Sequence, residues 1–221
     1  MRDLVKLYFD CVSPWSYIAY NLLKRYRKVW DFDLELEPRS LPYIMKYAQN
    51  QPPMIVPNKS AQMLKELSLA DRMYNVQVKM PSEFPFNTFI LMGFLLKTKE
   101  LYPENLESAV DLSFDAIWQH GRKLETQEQV RDIARECLKI NEESLTEILE
   151  FAASRDARQM LSAQSQELVQ QGAFGFPWIV ATRSLDSKSM RFFGADRMEN
   201  LAAFFHQTYR GSLATGETAR L

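Results

Sequence analysis

One stretch near the N-terminus constrains this chain more than any other. The run Leu4-Val5-Lys6-Leu7-Tyr8-Phe9 is compact and rich in β-favouring residues, so it reads as a mostly buried strand. Behind it stands Ser13-Pro14, a good N-cap followed by a residue suited to the first helical position. The helix is expected to run to about Val29, with Ile18, Leu22, Tyr26 and Val29 on one face. Lys24, Arg25, Arg27 and Lys28 gather near its C-terminus, where the macrodipole favours cations. Phe32-Asp33-Leu34-Glu35-Leu36-Glu37-Pro38 then alternates as a second strand, apolar on one face and acidic on the other. A β-α-β opening demands a parallel strand pair joined by a right-handed crossover.

After this the pattern changes. Pro52, Pro53 and Pro57 mark an irregular stretch, and helical periodicity follows with no convincing strand until Gln171. Thr126 with Gln129 makes a capping-box-like start, and Val130, Ile133, Ala134, Cys137 and Leu138 form the apolar face behind it. A further helix is expected from Ser154 to a C-cap at Gly172. Strand character returns with Trp178-Ile179-Val180-Ala181 and Met190-Arg191-Phe192-Phe193, a hairpin turning through residues 184–187. Asp196 and Glu199 form a D-x-x-E start for a last helix to about Tyr209. With the middle removed, the order is β-α-β…β-β-α. The expected class is therefore α/β, a thioredoxin-like fold interrupted by a long all-helical insertion. Its domains would be 1–41 with 172–210, an insertion over 42–171, and a small, polar, flexible tail over 211–221.

Composition removes several functions. Among 221 residues, 27 Lys and Arg nearly balance 28 Asp and Glu, so the basic excess or stripe of a nucleic-acid binder is missing. Cys11 and Cys137 lie far apart without a CxxC, which favours a reducing compartment. With only His120 and His206 besides, no metal-ligand spacing can be assembled. The N-terminus has no signal-peptide core, and the longest apolar stretch, Phe89 to Leu96, is far short of a membrane span. A soluble protein is expected.

In a thioredoxin-like domain the turn after the first strand presents a reactive group at a helix N-terminus. Here that turn reads Cys11-Val12-Ser13-Pro14-Trp15-Ser16, with two serines where a redox member carries CxxC, so dithiol exchange is excluded. A serine hydroxyl, backbone N–H groups and the positive helix end remain, and that environment lowers the pKa of a thiol brought to it. The alternative is a plain N-cap before proline. Ser13 as a nucleophile is weaker, since no G-x-S-x-G elbow or triad context exists. Cys11 reads as buried filler and Cys137 as core. The second element is Gly172-Ala173-Phe174-Gly175-Phe176-Pro177-Trp178. X-Pro bonds are mostly trans, but this fold places a cis-proline opposite the helix-start turn, where Phe176 would offer its backbone to a peptide-like ligand.

FDCVSPWSY, QNQPP, GAFGFP and FFGADRME follow one another here as they do in kappa-class glutathione transferases, and the resemblance runs from about Leu4 to Arg210. That family resembles DsbA, usually forms a homodimer, and is similar to 2-hydroxychromene-2-carboxylate isomerases. The resemblance implies conjugation of glutathione, as co-substrate, to a small electrophile, with no bound cofactor. It gives Ser13 the catalytic role of stabilising the glutathione thiolate, with Pro14 and Trp15 completing the turn. It makes Asn50 a glutathione contact with Lys59 beside it, and Phe176 the residue whose backbone pairs with the cysteinyl part, Pro177 being cis. Ala195 and Asp196 match the pair receiving the γ-glutamyl end, where the family often has Ser first, so Ala195 offers only backbone contacts. Asn50 as a turn cap and Asp196 as an N-cap are the simpler structural alternatives. A glutathione-dependent isomerase and a non-enzymatic glutathione carrier or chaperone are the functional alternatives. The terminal Ala219-Arg220-Leu221 resembles a peroxisomal address, with the mitochondrion as the other compartment.

Overall fold

The N-terminal run forms β1 (Leu4–Phe9), which crosses over through helix α1 (Pro14–Trp30) to the parallel strand β2 (Asp33–Pro38), with Leu4 opposite Asp33 and Phe9 opposite Pro38. Residues 2–212 are described by this computed structural model. Val5, Leu7 and Phe9 are wholly buried, whereas Leu4, Lys6 and Tyr8 on the other face are only half-buried. The strand is therefore two-faced rather than mostly buried, as its period-2 geometry requires once only one face meets α1 and the main core. Helix α1 begins as expected: Ser13 is in extended backbone and its hydroxyl accepts the Ser16 N–H. Asp31 ends it in the left-handed region, φ 54°.

Between β2 and the next strand the chain is helical: α2 (Leu41–Tyr47), α3 (Pro57–Ser68), α4 (Ala70–Tyr74), α5 (Phe89–Leu101), α6 (Leu106–Phe114), α7 (Gln127–Leu138), α8 (Glu142–Ala153) and α9 (Arg155–Gln170). The capping box at Thr126 and Gln129 forms as the sequence predicts, and Ser154 caps α9 by accepting the Ala157 N–H. Gly172, φ 105°, turns the chain out of α9. Helices α5 and α8 approach so closely that a Cβ on Gly93 would lie 2.7 Å from the Ala152 carbonyl oxygen. The chain then returns as β3 (Trp178–Thr182), antiparallel to β1, and β4 (Ser189–Phe193), antiparallel to β3. The sheet order is β2-β1-β3-β4.

The helices between β2 and β3 share the core of the sheet. The Phe114 ring lies 5.5 Å from Phe9, 5.6 Å from Tyr17 and 5.4 Å from Tyr20, tying α6 to β1 and α1. A smaller cluster of Ile44, Leu168, Ala173, Phe176 and Trp178 joins α2 and α9 to the segment before β3.

Three expectations at the C-terminal end need correction. The last helix, α10 (Met198–Phe205), stops four residues before Tyr209 because His206 turns left-handed at φ 56°, and the Gln207 N–H folds back to the Ala202 carbonyl. Residues beyond it lie along α1: Trp30 Nε1 donates to the Thr208 carbonyl, and Tyr26 donates to the Gly211 carbonyl. Arg25 reaches the Ser212 carbonyl, so the first two residues assigned to a loose tail are tethered. Asp196 does not cap α10. It belongs to a short 3-10 turn, Ala195–Arg197, and pairs with the Arg197 guanidinium. The reason is Gly194, φ 106°, over which the Asp196 carboxylate folds; a Cβ there would meet Asp196 Oδ1 at 2.5 Å. Ala219-Arg220-Leu221 lies outside the described residues.

Candidate functional site

The site grows from the end of β1. Three residues separate the strand from the Ser13 cap, and the backbone is pinned there by the Ser13 N–H bonding to the Asp10 carbonyl at 3.0 Å. The Asp10 side chain is wholly buried; its Oδ1 accepts the Val12 N–H at 3.1 Å and the Thr88 hydroxyl at 2.7 Å, and its Oδ2 accepts the Leu41 N–H at 2.8 Å. Burial pushes this carboxyl above its ordinary range, while the three hydrogen bonds pull it back. Cys11 is also wholly buried, its N–H directed at Met92 Sδ and its carbonyl taken by Trp118 Nε1 at 2.9 Å. Burial and the Asp10 charge push the Cys11 thiol well up, so it is inert filler as expected. Cys137, pushed up to about 11 mainly by burial, is equally inert.

Ser13 faces outward from this base. Its Oγ accepts the Ser16 N–H at 3.2 Å and donates to the Phe176 carbonyl at 3.5 Å, a distance at which a hydroxyl proton is loosely held and easily redirected. Pro14 has no N–H to contribute, and no acidic residue occupies the first turn of α1, so the positive end of the helix is not neutralised locally. The Ser16 hydroxyl is buried without a partner among the described residues.

Opposite Ser13, the Phe176-Pro177 bond is cis. The Pro177 carbonyl accepts the Gly194 N–H at 3.1 Å, which docks the Ala195–Arg197 turn against the proline loop. Gly175 lies so close to the Phe193 ring that a Cβ would come within 2.9 Å of it. Asn50 holds this loop from the other side: its Nδ2 donates to the Phe174 carbonyl at 2.8 Å and its Oδ1 accepts the Gln51 N–H. Asn50 thus caps the turn before Pro52, as the simpler alternative foresaw, and braces the proline loop as well.

These elements enclose a cleft of about 1170 Å³. Ser13, Pro14, Trp15, Asn50, Lys59, Phe176, Pro177, Ala195 and Asp196 all line it, so every residue selected from the sequence meets in one place. The sequence reading missed Met54, Met63, Met73, Tyr74, Phe84, Pro85 and Phe86, which also line the cleft. Phe84-Pro85 is a second cis bond in the lining. Burial raises the Tyr74 phenol, and the Asp196 charge adds to it. Met63 carries a helical signal, buried with Leu67 one turn on in α3, but the others come from irregular segments and short turns or helices that only packing brings to the cleft. The acid of Asp10, set in the otherwise apolar stretch Tyr8-Phe9-Asp10-Cys11-Val12, was a readable signal that went unused.

Chemically, the cleft combines a cation at Lys59, a hydroxyl at Ser13 and a carboxylate at Asp196 with many apolar side chains. Such a lining suits a ligand with charged ends and a nucleophilic atom beside an apolar co-reactant. Among the described residues no group of three or more His, Cys, Asp or Glu side chains is placed to hold a metal ion. No helix among them is long and apolar enough to cross a membrane.

The model of the DSBA-like thioredoxin domain matches residues 4–206. The chain is 29% identical to human glutathione S-transferase kappa 1, covering 98% of this chain and 97% of that protein. It is also 29% identical to the rat glutathione S-transferase kappa 1, over 99% and 97% respectively. The solved structure of 2-hydroxychromene-2-carboxylate isomerase superposes with a TM-score of 0.74 at 18% identity, covering 92% of this chain and 94% of that one.

Proposed function

The chain belongs to the DSBA-like thioredoxin domain family, and from that premise we propose that it is a glutathione transferase of the kappa class, joining reduced glutathione to a small electrophile. The near full-length likeness to the human and rat kappa transferases supports this reading. The observation that carries it is Ser13: a hydroxyl with a loosely held proton, at a helix N-terminus, in the position where redox members of the fold hold a cysteine.

Glutathione lies across the proline loop, its cysteinyl part paired with the Phe176 backbone. The turn at Ala195 and Asp196 receives the γ-glutamyl end, with Ala195 contributing only its backbone and the Asp196 carboxylate meeting the ammonium group. Lys59 and Asn50 face the glycyl end. The thiol loses its proton to solvent, and Ser13 turns its hydroxyl from the Phe176 carbonyl to the thiolate, which the positive end of α1 also favours. The sulfur then forms a C–S bond to the electrophile, held in the compartment of Met54, Met63, Phe84 and Phe86, and the leaving group departs with its electron pair. Neither Cys11, wholly buried, nor Cys137 takes part. On this reading the protein acts as a homodimer with glutathione and the electrophile as its partners.

The test is thiolate absorbance of the glutathione complex against pH, in the wild type and in Ser13→Ala. Replacing the hydroxyl is expected to raise the bound thiol pKa by about 1 unit or more and to lower kcat about tenfold or more. An unchanged bound-thiol pKa in Ser13→Ala would sink the role given to this residue. A product from which glutathione has left again would assign the isomerase chemistry instead, and saturable binding without turnover on a panel of electrophiles would assign a carrier.

A further inference from the structure

Asp10, between β1 and the Ser13 cap, is a buried acid whose burial the transferase chemistry does not explain. It is wholly buried and makes no ion pair among the described residues. An uncompensated buried carboxylate is costly, so it persists only where surrounding donors replace water. The donors are informative because they come from three separate segments. The Val12 N–H belongs to the turn carrying Ser13, the Leu41 N–H opens α2, and the Thr88 hydroxyl stands immediately before α5. Val12, Leu41 and Asn87, the neighbour of Thr88, all line the cleft. The Asp10 main chain adds a fourth tie, accepting the Ser13 N–H.

We propose that Asp10 is a positioning residue for the thiol site: its carboxyl joins the Ser13 turn to the starts of α2 and α5, and so fixes where the Ser13 hydroxyl stands relative to Phe176. The inference rests on the transferase reading above and gives that site a part that does not touch glutathione. The turn from Asp10 to Ser13 has neither a strand ladder nor a helical hydrogen-bond series, so beyond the Ser13 N–H bond to the Asp10 carbonyl it is held by side chains, Trp118 on the Cys11 carbonyl and the Asp10 carboxyl on the Val12 N–H. A catalytic hydroxyl displaced by a fraction of an ångström loses much of its effect, and the two oxygens of Asp10 accept from all three segments at once. An apolar residue of similar size could fill the space, but it would leave the Val12 and Leu41 amides and the Thr88 hydroxyl unpaired. An asparagine fills the space and keeps one acceptor oxygen, yet its amide group must oppose at least one donor. It therefore separates positioning from simple packing.

The experiment compares wild type, Asp10→Asn and Thr88→Val by thermal melting, by thiolate absorbance of the glutathione complex against pH, and by kcat and KM for glutathione. Asp10→Asn is expected to stay folded with a lowered melting temperature, to raise the bound thiol pKa by about 1 unit, and to lower kcat about tenfold with KM changed little. Thr88→Val, which removes one of the three side-chain ties, is expected to show a smaller shift in the same direction. Lower melting temperatures with an unchanged thiol pKa and kcat would overturn the proposal and leave Asp10 a purely structural residue. Should Asp10→Asn fail to fold, Thr88→Val decides by the same criterion. Failure of the transferase reading looks different, since the wild type itself would then form no lasting glutathione conjugate with any electrophile on the panel.

Discussion

Two buried acids, at the ends of adjacent strands, are held in opposite ways. Glu37, in β2 opposite Tyr8, is clasped by two cations: Arg39 Nη2 lies 3.1 Å from its Oε2, and the Lys99 ammonium binds its Oε1. Asp10, just past β1, has no cation and accepts only from neutral donors. Helix α5 serves both, since Thr88 before its first turn holds Asp10 and Lys99 in its last turn holds Glu37. The contrast shows what each acid does. A carboxylate met by long cationic side chains pins elements together with some tolerance, because those side chains can follow small movements. One met by backbone amides fixes the chain itself, because amides move only with the backbone.

The largest effect is expected from truncating the rigid member of the pair. Asp10→Ala leaves three donors unmet and should cost roughly 3 kcal/mol or more in denaturant unfolding. A loss below about 1 kcal/mol would mean that water replaces the carboxyl and that the contrast with Glu37 is empty. Next comes the helix that both acids share. Gly93→Ala drives a methyl into the Ala152 carbonyl, and should cost about 1–3 kcal/mol as α5 shifts from α8. Its activity relative to wild type then shows whether the Thr88 tie or the Lys99 tie feels the displacement. The smallest effect is expected from Glu37→Gln, about 1 kcal/mol in unfolding, because glutamine keeps an acceptor and Lys99 is partly exposed, with kcat and the bound thiol pKa unchanged, because neither Glu37 nor its cations line the cleft. A shift in that thiol pKa would erase the distinction between the two acids.

Much of this was readable along the chain, and the readable parts share a physical character. The Ser13 cap, the capping box at Thr126 and Gln129, the Ser154 cap and the turn-out at Gly172 all depend on hydrogen bonds or backbone conformations within a few residues. Strands and hairpin were legible from their β-favouring, alternating runs, and the residues quoted from the motifs line one cleft. What was misread depended on distant neighbours. Lys6 and Tyr8 look like members of a buried run until one face of β1 meets the main core and the other is only partly covered by the smaller cluster. Asp196 has the sequence of an N-cap, but Gly194 and the proline loop divert its turn. The last helix ends early because His206 turns left-handed and the following segment runs back along Tyr26 and Trp30.

The sequence alone determined the order of elements and the chemistry at the helix start. Local hydrogen bonding and periodicity are written in neighbouring residues, and a serine at the fold's reactive turn excludes dithiol exchange wherever the rest of the chain goes. Tertiary structure decided the shape of the cleft, the presence of Met54, Met63, Phe84 and Phe86 in its lining, and the burial of Asp10. Those features depend on how far apart in sequence the contacting groups are: Asp10 meets Leu41 and Thr88 only because α2 and α5 are packed onto the sheet. A carboxylate's partners, and therefore its task, are set by packing.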